Sequence, residues 1–272
     1  MPPRMTEAAP FDTARYTETV TRLSSLKSRL PADAVATLAG EVLSRVTRHA
    51  GANALPIGRI NALALALIDE DPNLCLQMVL DLQAEGKSVE TLYLDYLAVA
   101  ARRLGELWED DRVSFSQVSV GTARIYGLLR AIDAPYDHPG PSECPAAFFA
   151  AVPGEEHTLG IRMAADLFRR RGWEVDLAIG LSHEEVLERL DTSGHRLVGL
   201  SASNMKGLAP LARLLLAIRS HRPGTRVMVA GNLVADEADL VAELCPDREA
   251  ADFEAAFEGM TALWNAAGRP KG

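Results

Sequence analysis

The sequence is poor in cysteine and in long apolar runs, and each shortage removes a class of protein. The three cysteines among 272 residues, Cys75, Cys144 and Cys245, are too few and too widely spaced for a disulfide framework or a zinc motif. No apolar run is long enough to span a bilayer, and the N-terminal stretch lacks the apolar core of a signal peptide. We therefore expect a cytoplasmic protein with no membrane partner.

Positive charge is also scarce, because 28 lysines and arginines stand against 37 aspartates and glutamates, for a formal net charge of −9. A strong direct grip on nucleic acid requires a concentrated basic surface, so none is expected here. No Ser-His-Asp arrangement, phosphate loop or paired-carboxylate site stands out either. The sequence therefore predicts no catalytic residue.

The hydrophobic period changes once along the chain, which predicts two folded parts. Residues 1–52 are expected to form a partly helical extension, with amphipathic helices between 13 and 51, and residues 53–132 a helical bundle. Residues 133–145 are proline-rich and are expected to be a linker.

From 146 to 272, short apolar runs alternate with helical stretches, which is typical of β-α-β units. A short fifth strand is expected near residues 249–252. The predicted fold class is α/β, with the helical bundle followed by a flavodoxin-like, doubly wound parallel sheet in the order 2-1-3-4-5.

In such a sheet, ligands bind beyond the carboxyl ends of the strands. The predicted strands 1, 3 and 4 are neighbours and are followed by the turns GEEHTLG, SASN and AGN, which are expected to line one slot. The candidate binding residues are Glu155, His157, Thr158, Leu159 and Gly160 in the first turn, Ser201 and Ser203 in the second, and Gly231 and Asn232 in the third.

His157 is the candidate metal ligand. A neutral imidazole is a good ligand for cobalt or iron, and Glu155, two residues away, can accept the proton of its other ring nitrogen. One histidine cannot build a zinc site, but it can supply the axial ligand of a macrocycle that carries its own equatorial nitrogens. The alternative is an ordinary loop histidine, with Glu155 favouring the N-terminus of the next helix.

The pattern E-x-H-x-x-G followed by S-x-S and A-G resembles the signature of the cobalamin-binding fold, D-x-H-x-x-G followed by S-x-L and G-G. The resemblance implies that His157 replaces the cobalamin's own dimethylbenzimidazole as lower axial ligand, while Glu155 holds its other nitrogen. It also implies that four residues make room for, or hydrogen-bond to, the displaced nucleotide tail: Gly160, Ser201, Ser203 and Gly231.

The resemblance extends over residues 54–262, because the helical bundle is similar to the cap that covers the corrin's upper face in that family. Trp108 takes the place of the upper-face aromatic residue. Three positions depart from the signature: Glu155 replaces aspartate, Ser203 replaces leucine and Ala230 replaces glycine. The photoreceptors of this architecture carry a Glu-His pair where this chain has Val118 and Ser119, which weakens the case for adenosylcobalamin.

As a whole the chain resembles the photosynthetic antirepressor family of purple bacteria, of the AerR and PpaA type. This resemblance implies a non-enzymatic regulator that binds hydroxo- or aquo-cobalamin, with a possible response to light. The implied partner is a separate DNA-binding transcriptional repressor of photosynthesis genes. Two alternatives keep the same fold: a corrinoid methyl-carrier protein of a methyltransferase system, and a haem-binding sensor. The small residues of the slot favour cobalamin, because haem has no nucleotide tail.

Overall fold

The computed structural model describes residues 57–132 and 144–267, and the chain divides into two compact units between Pro135 and Tyr136. Each unit is described by itself. The helices expected between 13 and 51, and nearly all of the expected linker, lie outside the described residues. No helix in the described ranges has the length and hydropathy needed to cross a membrane.

The first unit is helical, as its 3.6-residue period predicts. Its elements are α1 (Ile57–Ile68), α2 (Asn73–Ala84), α3 (Val89–Thr91), a π-helical segment (Leu92–Leu97), α4 (Ala98–Glu109) and α5 (Phe115–Ile132). Ser88 caps α3 by accepting the Thr91 N–H at 3.1 Å. The sequence predicts one continuous α-helix here, but the structure has π-helical hydrogen bonding over Leu92–Leu97. This segment's hydrogen bond from Ala98 N–H to Tyr93 O is not visible in the hydrophobic period.

Two residues of α5 make close contacts with the other helices of this unit. Gly121 lies where α5 crosses α4 and α1, and a methyl group on it would come within 2.6 Å of Leu104. Arg124, only 8% exposed, donates to the carbonyls of Leu67 at 3.1 Å and Asp69 at 2.7 Å. The guanidinium thereby satisfies carbonyls that the end of α1 leaves without helical partners.

The second unit is the predicted doubly wound α/β domain. Its strands are β1 (Ala146–Ala151), β2 (Glu174–Ala178), β3 (Leu197–Ser201), β4 (Arg226–Ala230) and β5 (Arg248–Ala250). Its helices are α6 (Leu159–Arg170), α7 (His183–Ser193), a 3-10 turn (Met205–Gly207), α8 (Leu208–His221), α9 (Asn232–Asp236), α10 (Ala238–Glu243) and α11 (Phe253–Ala267). All strand pairs are parallel, and the order 2-1-3-4-5 confirms the predicted topology.

Both faces of the sheet are buried, because neighbouring residues of a strand point to opposite sides. In β1, Phe148 belongs to the apolar cluster with α7 and α8, while Phe149 belongs to the cluster with α6 and α11. The weak fifth strand is present, but α9 and α10 between β4 and β5 were not anticipated. The register aligns Ala151 with Ser201 and Ser201 with Ala230, so the turns after β1, β3 and β4 meet at one edge.

Candidate cofactor site at the carboxyl edge of the sheet

A tight turn connects the end of β1 to the first candidate residues. Glu155 N–H donates to Val152 O at 2.9 Å, with Pro153 and Gly154 between them. Gly154 has a φ of +80°, and proline followed by a left-handed glycine is the signature of a type II turn. The sequence predicted a turn here, and the Pro-Gly pair was the signal that could also have identified its type.

Glu155 and His157 form a buried hydrogen-bonded pair within this turn. Their side chains are 2% and 8% exposed, although the whole residues are only partly buried because their backbone faces solvent. Glu155 Oε1 accepts the His157 backbone N–H at 2.8 Å and lies 2.7 Å from His157 Nδ1. Since a carboxylate oxygen accepts, Nδ1 carries the proton in the neutral imidazole, which leaves the lone pair on Nε2.

The turn after β3 supplies the hydrogen-bond donors to the second carboxylate oxygen of Glu155. Glu155 Oε2 accepts the Ser203 backbone N–H at 2.8 Å and the Ser203 hydroxyl at 2.6 Å. Ser203 Oγ also lies 2.9 Å from His157 Nδ1. The Asn204 side-chain amide donates to Ser203 Oγ at 3.3 Å and so belongs to this network, a role that sequence reasoning missed. The carboxylate of Glu155 is thus surrounded by donors from two turns.

These contacts set the ionisation of Glu155. Burial by itself raises the pKa of its carboxyl, but hydrogen bonds from the side chains and backbone N–H groups of His157 and Ser203 outweigh burial. The pKa is held below the ordinary glutamate value. Glu155 therefore stays a carboxylate at neutral pH, the form that accepts the histidine proton.

His157 Nε2 is buried and has no hydrogen-bond partner among the described residues. A buried polar atom without a partner is rare in folded proteins and calls for an explanation such as a bound metal. The donor set fits a metal that would take one bond from Nε2 and bring its own remaining ligands, with the carboxylate orienting the ring. The described residues hold no cluster of three or more His, Cys, Asp or Glu side chains able to bind a metal ion.

Glycines 160 and 231, both predicted to make room for a nucleotide tail, lie in different surroundings. A methyl group added to Gly160, in the first turn of α6, would have no atom within 4 Å. At Gly231 it would meet Ala202 O at 2.3 Å, and the φ of +115° suits only glycine. Gly231 therefore admits the backbone of the neighbouring turn, whereas a methyl group at Gly160 would have open space around it as far as the described residues go.

The other predicted site residues lie at or near the same edge, with one exception. Ser201 ends β3, and its carbonyl accepts the Val152 N–H at 3.0 Å. Thr158 and Leu159 lie at the start of α6, and Asn232 begins α9. Trp108 belongs to the helical unit, where it lies half-buried against Val118, as Val113 and Phe115 also do. Val118 is 1% exposed, so the position expected to be acidic in a photoreceptor is a core residue of this cluster. The contact of Trp108 with a ligand stays a prediction.

Comparisons with known proteins match both units to B12-binding families. Residues 145–264 match a family described as B12 binding domain, and residues 59–132 match a second family of the same description. An uncharacterized 20.5 kDa protein in the bchF-crtJ intergenic region of Rhodobacter capsulatus is 28% identical over 162 residues. The alignment covers 58% of this chain and 84% of that protein.

Two solved structures are similar to this chain at low sequence identity, and the first of them shares its fold. The monomethylamine corrinoid protein of Methanosarcina barkeri has a TM-score of 0.61 and 15% identity, over 77% of this chain and 99% of that one. A cobalamin-binding protein from Desulfitobacterium hafniense DCB-2 has a TM-score of 0.40 and 16% identity, over 75% and 98% of the two chains. Each unit thus matches a family of B12-binding domains, residues 59–132 one and residues 145–264 the other, as the resemblance to the cobalamin-binding fold implied.

Proposed function

We propose that this protein is a cobalamin-binding transcriptional regulator that performs no catalysis, and that His157 Nε2 is its cobalt ligand. The observation that carries the proposal is the buried Nε2, which has no hydrogen-bond partner in the described parts of the chain, on a ring whose other nitrogen faces Glu155. Cobalamin supplies the cobalt and its equatorial nitrogens. The chain supplies the oriented imidazole and, beside Gly160, a position where an added methyl group would have no described atom within 4 Å.

The regulatory part of the proposal is supported by the relative in the bchF-crtJ intergenic region of Rhodobacter capsulatus. We propose that the protein contacts a separate DNA-binding repressor of photosynthesis genes and binds no nucleic acid strongly itself. The acidic balance of −9 suits a basic partner of this kind. A ligand can regulate in this way only if it binds two conformations of the protein with different affinity.

The cofactor is tested by absorption spectroscopy after incubation with hydroxocobalamin and desalting, beside a parallel incubation with haem. We expect a retained corrin band whose position reports histidine ligation, and loss of that ligation in His157→Ala. His221→Ala is the matched control, since His221 is an exposed residue at the end of α8 whose Nδ1 lies 2.9 Å from Ala217 O. A haem band without retained corrin would refute the cobalamin proposal in favour of the haem sensor.

The hydroxo or aquo form and the response to light are tested on the same samples. We expect hydroxocobalamin to be retained more tightly than adenosylcobalamin, because Val118 and Ser119 stand where the photoreceptors carry their Glu-His pair. Spectra before and after illumination then show whether the upper ligand changes. Tighter retention of adenosylcobalamin would contradict this part of the proposal.

The regulatory role is tested with a purified photosynthesis-gene repressor and its operator DNA. We expect the cobalamin-loaded protein to lower the repressor's affinity for DNA more than the cobalamin-free protein or His157→Ala does. No effect of any form on repressor binding would contradict the antirepressor role.

The methyl-carrier alternative is supported by the shared fold of the Methanosarcina corrinoid protein. That likeness is one of fold, at 15% identity. The alternative predicts cobalt-centred methyl transfer when the reduced, loaded protein is given a methyl donor and a methyltransferase. The regulator proposal predicts no such turnover.

A further inference from the structure

Ser203 occupies a position where the resembling signature has leucine, and it contacts a glutamate where the signature has aspartate. Both departures meet in one contact, because Glu155 Oε2 accepts the Ser203 N–H at 2.8 Å and the Ser203 hydroxyl at 2.6 Å. The two residues are 48 positions apart and lie in the turns after β1 and β3. The two departures are therefore in direct contact.

The two oxygens of the Glu155 carboxylate have different hydrogen-bond partners. Oε1 serves His157, in the same turn, through the backbone N–H and Nδ1. Oε2 is held from the neighbouring turn by Ser203, through both its backbone N–H and its hydroxyl. Without the second anchor, the last torsion of a glutamate is broad and nearly free, so the oxygen facing the imidazole would be poorly fixed.

The Ser203 hydroxyl is hydrogen-bonded mainly within the protein. A serine hydroxyl offers one hydrogen and two lone pairs. Its hydrogen is donated to Glu155 Oε2, and its oxygen receives the Asn204 amide at 3.3 Å and faces the Nδ1 proton of His157 at 2.9 Å. Ser203 was expected to make room for, or hydrogen-bond to, the nucleotide tail, but its hydrogen and one lone pair are used by Glu155 and Asn204, and its other lone pair shares the Nδ1 proton of His157 with Glu155 Oε1.

We propose that Ser203 is a positioning residue for the His157 imidazole and that it works only as a pair with Glu155. The longer side chain of glutamate lets one carboxylate join the two turns, and the serine holds the carboxylate that the extra methylene would otherwise leave loose. An aspartate, one methylene shorter, cannot keep both sets of contacts on the same backbone. The link of Ser203 to cobalt ligation rests on the proposed function, whereas the pairing itself is a property of the cofactor-free protein.

The pairing is tested by a double-mutant cycle of Ser203→Ala and Glu155→Asp on the full chain without cofactor. We expect Ser203→Ala to change the urea unfolding equilibrium constant about tenfold when Glu155 is present, which equals about 1.4 kcal/mol. In the Glu155→Asp background we expect a change of less than about twofold, because the shorter carboxylate no longer reaches the hydroxyl. Ser220→Ala, at an exposed serine of α8, is the control expected to have the same effect in both backgrounds.

Cobalamin affinity and histidine ligation supply a second measurement. If Ser203 only stabilised the fold, its replacement would not change them. Loss of a residue that orients a metal-bound histidine typically costs about 10–100-fold in affinity, so we expect Ser203→Ala to weaken hydroxocobalamin retention by about tenfold and to lower the histidine-ligated fraction. Ser203→Thr keeps the hydroxyl and is expected to restore both. Ser203→Leu combined with Glu155→Asp, the pair of the signature, is expected to retain cobalamin better than either single change.

Two results would overturn the proposal. One is an equal effect of Ser203→Ala in the unmodified protein and in the Glu155→Asp variant, which would mean that the two side chains act independently. The other is normal histidine ligation in Ser203→Ala. If the unmodified protein retains no corrinoid, the proposed function fails instead, and the cofactor-free cycle still decides whether Ser203 and Glu155 are coupled.

Discussion

Glu155 Oε1 contacts the same residue, His157, at two points: the backbone N–H at 2.8 Å and ring Nδ1 at 2.7 Å. One oxygen thereby ties the orientation of the ring to the conformation of its own backbone. A histidine held at only one point can rotate, whereas this ring is fixed relative to the turn that presents it. The predictions below test this fixation and the surroundings that permit it.

Replacing Glu155 by glutamine is expected to destabilise the cofactor-free protein by about 1–3 kcal/mol. An amide has one accepting oxygen, so its NH₂ group must face donors of either His157 or Ser203. Urea unfolding measures the change. Glu156→Gln is the matched control, because Glu156 is exposed, and it is expected to stay within about 0.5 kcal/mol of the unmodified protein. Equal effects of the two changes would contradict the role of the buried carboxylate.

The stability contributed by Glu155 is expected to depend on pH with a definite sign. Its pKa is lower in the folded protein than the reference value of 4.5, so the folded state favours the carboxylate. The contribution is complete above pH 4.5 and is lost as the pH falls through the folded-state pKa. The difference in unfolding free energy between the unmodified protein and Glu155→Gln should therefore shrink below that pH. A difference that grows on acidification would contradict the assignment.

Alanine at Gly160 and at Gly231 should act in opposite directions on the cofactor-free protein. Gly160→Ala adds a helix-favouring residue where no atom lies within 4 Å and is expected to stabilise the fold by up to about 1 kcal/mol. Gly231→Ala must hold alanine at a φ of +115° against Ala202 O and is expected to cost about 1–3 kcal/mol or more. Thermal unfolding of both variants checks the signs.

Gly160→Ala also tests the space predicted for the nucleotide tail. We expect this variant to fold normally and to retain hydroxocobalamin less tightly, because the methyl group enters that space. Titration followed by absorption measures the affinity. Unchanged affinity in a folded Gly160→Ala protein would place the tail elsewhere.

In the helical unit, Arg124→Met is expected to destabilise α1 by about 1.5–3 kcal/mol, since the charged donor to the Leu67 and Asp69 carbonyls is lost. Hydrogen exchange of the α1 amides measures the effect locally. Arg103→Met is the control, because Arg103 makes a partly exposed ion pair with Glu106, and a change below about 1 kcal/mol is expected. Equal protection of α1 in both variants would contradict the capping role of Arg124.

Several features could be predicted from sequence because they depend on local periodicity. Apolar runs such as Ala146–Ala151 alternate with amphipathic helices, and right-handed crossovers leave few topologies for such a chain, so the strand order followed. The spacing of Glu155, His157 and Gly160 was enough to propose a single-histidine site, because all three lie within six consecutive residues after β1. The π-helical segment Leu92–Leu97 was missed, since a change of hydrogen-bond partner leaves little trace in the period of buried residues.

The contacts that orient His157 were decided by tertiary structure. Ser203 was taken from sequence as a residue of the slot, and only the meeting of the turns after β1 and β3 showed that its hydroxyl is used by Glu155 and His157. Gly231 was likewise expected to leave room for a ligand, whereas Ala202 O occupies the position of its missing side chain. The sequence by itself determined which residues stand at the carboxyl edge of the sheet, because strand and helix periods are local. Which of them touch each other depended on the register of parallel strands joined by long crossovers, and that is a property of the folded chain.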